Sequence, residues 1–180
     1  LYFVKRQLLF TGLGIILATL FSKLRSDLII KYGHYVHLLF GILLLLTLFP
    51  QIGVSVKGSQ RWLNLGLFRF QPGEFVKISI IFVSVTYFSF WTDMTIRQRA
   101  LKALLLLFPL VLLLIQPDFG TFSICLLIIA FACFIGPFPR KYFYAMVVST
   151  FLGCIPLLML APYRVKRVMT FLDPWANPHG

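Results

Sequence analysis

Charge is scarce in this chain, and negative charge is nearly missing. Its 180 residues hold 5 Asp and Glu against 17 Lys and Arg, and charged residues make up 12%. That share is about half that of a soluble domain. No polar stretch is long enough to fold as a separate soluble domain. Cysteine is sparse too: Cys125, Cys133 and Cys154 lie in apolar runs without metal-ligand spacing and read as small packing residues. His34, His37 and His179 show no ligand spacing either, and His34 and His37 read as interfacial residues at a span boundary. There is no Ser/His/Asp set, no glycine-rich phosphate loop and no cofactor motif. No secretory signal pattern is visible.

Apolar residues are abundant, at 59%. A soluble core of this size could not hide that much apolar surface, whereas a bilayer replaces water as the solvent. A spanning helix takes roughly 20 mostly apolar residues. Six candidates run over 7–22, 35–54, 74–91, 101–116, 119–136 and 143–161, with an outer loop beginning near 162. None alternates with period two, which argues against a barrel, and lipid leaves helices as the other spanning structure. The expected fold is all-α, a polytopic transmembrane helical bundle. Leu1 and the closing Asn177-Pro178-His179-Gly180 read as the interior of a longer protein.

The loops fall alternately on two sides. One side holds Lys5, Arg6, Lys57, Arg61, Arg69, Arg164, Lys166 and Arg167; the other holds Lys23, Arg25, Lys31, Arg97, Arg99, Lys102, Arg140 and Lys141. The positive-inside comparison is therefore tied. The non-cytoplasmic face must carry as many cations as the cytoplasmic one, so something there should use them. The first side has the longer loops, Trp62, Trp175 and most of the loop prolines, and is expected outside. The net charge of +12 sits in short loops between apolar spans, which points to lipid head groups and phosphate-bearing lipids, not nucleic acid.

Three segments carry the candidate chemistry. In the first, 61–77, Pro72 suits the first position of a helix and Glu74 its first turn, where a carboxylate meets the positive end of the helix dipole. Glu74 and Lys77 are i,i+3 neighbours, and Lys77 lies a turn into the membrane, where an unpaired ammonium costs about 3 kcal/mol or more. The segment reads either as a capped helix start or as a buried ionic pair beside Arg69. In the second, 116–121, Asp118 can cap the following helix and Gly120 would allow close helix packing. In the third, 162–175, Arg164, Arg167 and Phe171 share one helical face. It reads as an interfacial helix anchored by Trp175, or as a pyrophosphate clamp, since a guanidinium grips phosphate oxygens in pairs. Asp27 and Asp93 lie in basic loops and read as solvated.

In this order the segments resemble the FtsW/RodA/SpoVE family of bacterial cell-wall proteins. The matches are Gly58-Ser59-Gln60-Arg61-Trp62, then Gln71-Pro72-Gly73-Glu74 with Lys77, then Gln116-Pro117-Asp118-Phe119-Gly120-Thr121. Last come Tyr163-Arg164 through Arg167 and Phe171-Leu172-Asp173-Pro174-Trp175. Gly73 stands where the family usually has Ser or Ala, and Phe119 where it usually has Leu. The basic run after Tyr163 is more similar to the division branch than to the elongation branch.

What the resemblance implies rests on analogy. It implies about ten spanning helices, of which this chain covers the second to the seventh. It implies a peptidoglycan glycosyltransferase that polymerises lipid II, an undecaprenyl-pyrophosphate precursor, at the outer face of the bacterial cytoplasmic membrane during septal wall synthesis. The implied partner is a class B penicillin-binding transpeptidase, with other division proteins. The family's catalytic Asp is expected beyond Gly180. Arg69, Gln71, Glu74, Lys77 and Asp118 carry over as functional residues, and Arg61, Arg164, Lys166 and Arg167 join them as candidates. No cofactor is implied. Two rivals stay open: a lipid II flippase, and a non-enzymatic scaffold that recruits the transpeptidase.

Overall fold

The computed structural model of the chain describes residues 2–56, 59–66 and 69–159. The described residues form six helices: α1 Tyr2–Ser22, α2 Ser26–Leu46, α3 Pro72–Ser89, α4 Ile96–Ile115, α5 Phe119–Ile135 and α6 Arg140–Met159. Between α2 and α3 lies a three-stranded antiparallel sheet, β1 Gly53–Val56, β2 Ser59–Asn64 and β3 Arg69–Phe70, in the order β1-β2-β3. The helical bundle is as expected. The sheet is an addition, confined to a segment that the hydropathy pattern marks only as loop.

Local chemistry explains the helix limits. Pro72 opens α3, where its missing N–H costs nothing. Thr95 and Gln98 form a reciprocal capping box at the start of α4. That cap lets α4 begin at Ile96, so Arg97 and Arg99 are helical and not loop residues. Asp118 caps α5 through Thr121 N. The largest difference is α2, which starts at Ser26 and ends at Leu46, displaced from the expected 35–54. The helix runs straight through Lys31, whose long side chain can leave the apolar zone while its backbone stays helical. The chain then turns sharply at Phe49, whose carbonyl accepts from Gly53 N at 2.8 Å. A Cβ on Gly53 would lie 2.0 Å from the Thr47 carbonyl oxygen, so that turn requires glycine.

The bundle is organised around α3. Val76, Ile80, Val83 and Tyr87 are buried at helical spacing and pack with Leu106, Leu110 and Leu113 of α4 and Phe122, Cys125 and Ile129 of α5. Glycines bring α2 close: a Cβ on Gly33 would lie 3.1 Å from Phe82 Cβ, and one on Gly41 2.8 Å from the Phe108 ring. Gly136 abuts Phe88 in the same way, and a Cβ there would lie 2.8 Å from Phe88 Cβ. Gly120, in contrast, faces open space and makes no close packing. Cys125 and Cys133 are buried and free, consistent with a packing role, and the Cys154 side chain lies outside the described residues.

The outward surface is apolar. Leu104, Leu107, Val111 and Ile115 form an exposed stripe on α4, and Ile124, Leu127 and Phe131 one on α5. A soluble protein rarely exposes contiguous apolar patches of this extent; a bilayer solvates them. Phe3–Ser22, Ser26–Leu46 and Ile96–Ile115 are long and apolar enough to cross a membrane by themselves, and Phe119–Ile135 is apolar but shorter. At 17 residues α5 is about 26 Å long, close to the hydrocarbon thickness of roughly 30 Å.

Candidate functional site

The sheet lies over one end of the bundle, where α2 and α4 finish and α3 and α5 begin. β2 pairs with β1 through Val54↔Trp62, Ser55↔Gln60 and Val56↔Ser59, and Arg61 is the extra, unpaired residue at the irregularity between them. β3 follows through Leu63↔Phe70 and Asn64↔Arg69. Leu63 is buried. Arg61 and Ser59, two and four residues back, face the turn between α4 and α5.

Arg61 grips that turn. Its Nη2 donates to Pro117 O at 2.6 Å, and its Nε donates to Ser59 Oγ at 2.6 Å and to Gln116 O at 3.3 Å. Ser59 Oγ itself donates to Gln116 O at 2.7 Å. Arg61 Nη1 stands 3.5 Å from Asp118 Oδ1, with the two side chains 30% and 8% exposed. Asp118 is thus buried and charged, and satisfied on three sides: Thr121 N donates to Oδ1 at 3.3 Å, Thr121 Oγ1 donates to Oδ2 at 3.0 Å, and the guanidinium supplies the countercharge. The cap read from the sequence is present. The partner across the sheet is not legible from it.

Gln116 ties the same turn to α2. Its Nε2 donates to Leu44 O at 2.8 Å and to Thr47 Oγ1 at 2.6 Å. Gly73, in the first turn of α3, completes the junction. A Cβ there would lie 3.7 Å from Leu113 and from Thr121, and 3.8 Å from Asp118 Oδ2. These are ordinary contacts, so the Ser or Ala usual in the family would fit.

Beside this junction, Lys77 Nζ donates to Glu74 Oε2 at 2.8 Å. The pair is uneven: Lys77 is 24% exposed and Glu74 54%. Lys77 lies under the helix start and Glu74 forms its lid. Gln71 precedes the helix in the N-cap position without a side-chain cap, and its carbonyl accepts from Glu74 N at 3.2 Å. Arg69 is exposed on β3, and no acidic side chain lies within ion-pair reach of it among the described residues. Arg61, Arg69, Gln71, Glu74, Lys77 and Asp118 therefore gather at one end of the bundle. Arg164, Lys166 and Arg167 lie outside the described residues.

His37 departs from its expected place. Because α2 starts at Ser26, His37 is eleven residues into the helix and fully buried, not interfacial. Its Nδ1 is 2.9 Å from Ser79 Oγ, and Ser79 Oγ donates to Val76 O at 3.1 Å. The two side chains share one hydrogen bond, whose direction follows the ring tautomer. At the other end of the bundle Asp27 pairs with Arg25, both exposed.

Residues 1–180 match the FtsW/RodA/SpoVE family, described as cell cycle proteins. The chain belongs to that family. A relative from Marinomonas mediterranea, named "Probable peptidoglycan glycosyltransferase FtsW", is 34% identical over 98% of this chain and 44% of its own length. Among solved structures, a chain of a peptidoglycan synthase complex that coordinates polymerization and crosslinking superposes with a TM-score of 0.68. It is 26% identical, and the alignment covers 97% of this chain and 52% of that one. A variant of the rod shape determining protein RodA of Thermus thermophilus also reaches 0.68, at 27% identity, over 87% of this chain and 50% of that one. The chain spans less than half the length of the curated relatives it matches. At the junction of 59–61, 71–77 and 116–121 three segments distant along the chain meet in space.

Proposed function

We propose that the protein polymerises lipid II as a peptidoglycan glycosyltransferase of septal wall synthesis, with its sheet-bearing end at the outer face of the bacterial cytoplasmic membrane. The single observation that carries this reading is the distribution of charge. Among the described residues, every Asp, Glu, Lys and Arg of α2 to α5 lies within about two turns of a helix end, with Lys102 the deepest, and the sheet end gathers Arg61, Arg69, Glu74, Lys77 and Asp118. A lipid-linked pyrophosphate has an apolar tail for the bilayer and an anionic head for such a face. Relatives bearing the glycosyltransferase name support the same reading.

The transfer makes a bond from an acceptor sugar hydroxyl to the anomeric carbon of the donor. It breaks the bond from that carbon to the lipid pyrophosphate, and the hydroxyl proton leaves to a base. Arg69, with no acidic side chain in reach among the described residues, is suited to the departing phosphate charge, and Arg164, Lys166 and Arg167 are the remaining candidates. The class B transpeptidase would be the partner that crosslinks the product.

A flippase would draw on ionisable groups near mid-membrane. The histidine nearest the middle of a described helix is His37, and it is bonded to Ser79. The test is glycan polymerisation by the full-length protein with its transpeptidase, beside dye-labelled lipid II flipping in vesicles. Replacing Arg164, Lys166 and Arg167 together by Gln should weaken lipid II binding and polymerisation and leave folding intact. Flipping without polymerisation would establish the transporter, and neither activity the scaffold. Impermeant thiol labelling at Ser59→Cys but not at Thr95→Cys in intact cells would support the orientation, and the opposite pattern would overturn it.

A further inference from the structure

At the end of the bundle opposite the sheet, α2, α3 and α4 part to leave a cavity of about 460 Å³. Val83, Tyr87 and Leu105 line it along apolar surface, and His34, Thr86 and Lys102 supply its polar atoms. Lys102 lies six residues into α4 and His34 eight residues into α2, so both are about 9–12 Å below their helix starts. A lysine side chain reaches from that depth to the interface. Lys102 is half-buried and has no ion pair or hydrogen bond among the described residues. The two acidic residues of that end are engaged elsewhere: Asp27 pairs with Arg25, and Asp93 accepts from Thr92. The described cations around the mouth differ in the same respect, since Arg99 is held by the Trp91 carbonyl and ring and Lys31 by the Tyr32 ring. Lys102 is left as an unpartnered ammonium over an apolar slot.

We propose that this cavity binds one anionic phospholipid of the leaflet on the side away from the sheet. Its phosphate would meet Lys102 Nζ, the His34 ring would supply a second polar contact, and an acyl chain would lie along Val83 and Leu105. Charge complementarity decides the class of occupant. A partly buried ammonium with no acid in reach favours a phosphate, and the apolar walls favour a phosphate that carries chains. A zwitterionic phosphatidylcholine brings its own cation and gains less. A free phosphate leaves the apolar walls uncovered.

The experiment is native mass spectrometry of the full-length protein, released from nanodiscs of phosphatidylcholine doped with phosphatidylglycerol, with and without added inorganic phosphate. Wild type should retain phosphatidylglycerol over phosphatidylcholine, and millimolar inorganic phosphate should not displace it. Lys102→Gln should retain about fivefold less, the effect of one basic residue at an anionic surface, and Lys102→Arg should restore retention. Arg97→Gln, exposed at the same end but outside the cavity, should retain the wild-type amount. Should Lys102→Gln fail to fold, Leu101→Trp at the exposed mouth of the cavity tests the same slot and should also lower retention. Equal retention of the two lipids, equal losses in Lys102→Gln and Arg97→Gln, or displacement by inorganic phosphate would each overturn the proposal; the last would make the cavity a site for free phosphate. Because the readout is lipid retention, it stands or falls independently of whether the protein polymerises glycan.

Discussion

Arg61→Ala should unlock the turn between α4 and α5. The guanidinium makes three donor contacts to Ser59 Oγ, Gln116 O and Pro117 O, and faces Asp118 at 3.5 Å. These losses are not equal. Gln116 O keeps its bond from Ser59 Oγ, and Asp118 keeps both bonds from Thr121. Pro117 O is the group left unpaired, at about 1–3 kcal/mol. The ion pair adds about 1 kcal/mol or less, because Arg61 is nearly one-third exposed and water screens it. The sum is roughly 1–4 kcal/mol. Asp118→Ala removes an N-cap worth about 1–2 kcal/mol together with the same ion pair, so the two single variants should cost similar amounts. Arg61→Lys should recover little, since one ammonium cannot span Ser59 and Pro117 together. The assay is reversible denaturation of the full-length protein in mixed detergent, run as a double-mutant cycle. A coupling between about 0.5 and 1.5 kcal/mol is expected. A cost for Arg61→Ala no larger than the ion pair alone, about 1 kcal/mol or less, would refute the carbonyl clamp. Zero coupling would show that the guanidinium holds the turn through the carbonyls alone.

Glu74→Ala strands the less exposed Lys77, while Lys77→Ala leaves a carboxylate that is already half exposed. Polymerase activity should therefore fall further in Glu74→Ala, and the double variant should be no worse than the poorer single; losses that simply multiply would mean the two do not act as a pair. Gly73→Ala should raise stability by about 0.4–1 kcal/mol, since its Cβ meets only ordinary contacts and the unfolded chain loses freedom, and a lowered melting temperature would contradict this. Gly136→Ala puts a Cβ 2.8 Å from Phe88 Cβ and should cost about 1–3 kcal/mol; thermal unfolding in detergent decides it, and Phe88→Ala in the same protein should not relieve the clash, because alanine keeps the Cβ and the other close atoms are the Phe88 backbone O and C.

The bilayer reading follows from composition alone, because long apolar runs with few charges have one favourable solvent. Several helix starts are equally local: Pro72 opening α3, and Asp118 capping α5 through Thr121, depend on neighbours within one turn. The Glu74–Lys77 contact is legible for the same reason, being an i,i+3 pair on one helix. One further feature was not anticipated although its signal is local: Thr95 with Gln98 has the spacing of a capping box. The strand Ser59–Asn64 carries no alternating pattern and is fixed by its pairing with β1. Tertiary structure decided what distance along the chain hides. Arg61 and Asp118 are 57 residues apart in number, as are Ser59 and Gln116, and nothing in either segment states that a sheet folds one over the other. His37 became a buried partner of Ser79 because α2 starts earlier than its apolar run suggests, a shift that tolerance of Lys31 in the helix allows. Periodicity reports which face of a helix is apolar; which polar groups meet at its ends depends on how the helices are arranged, and that is set by close approaches such as Gly33 on Phe82 and Gly41 on Phe108.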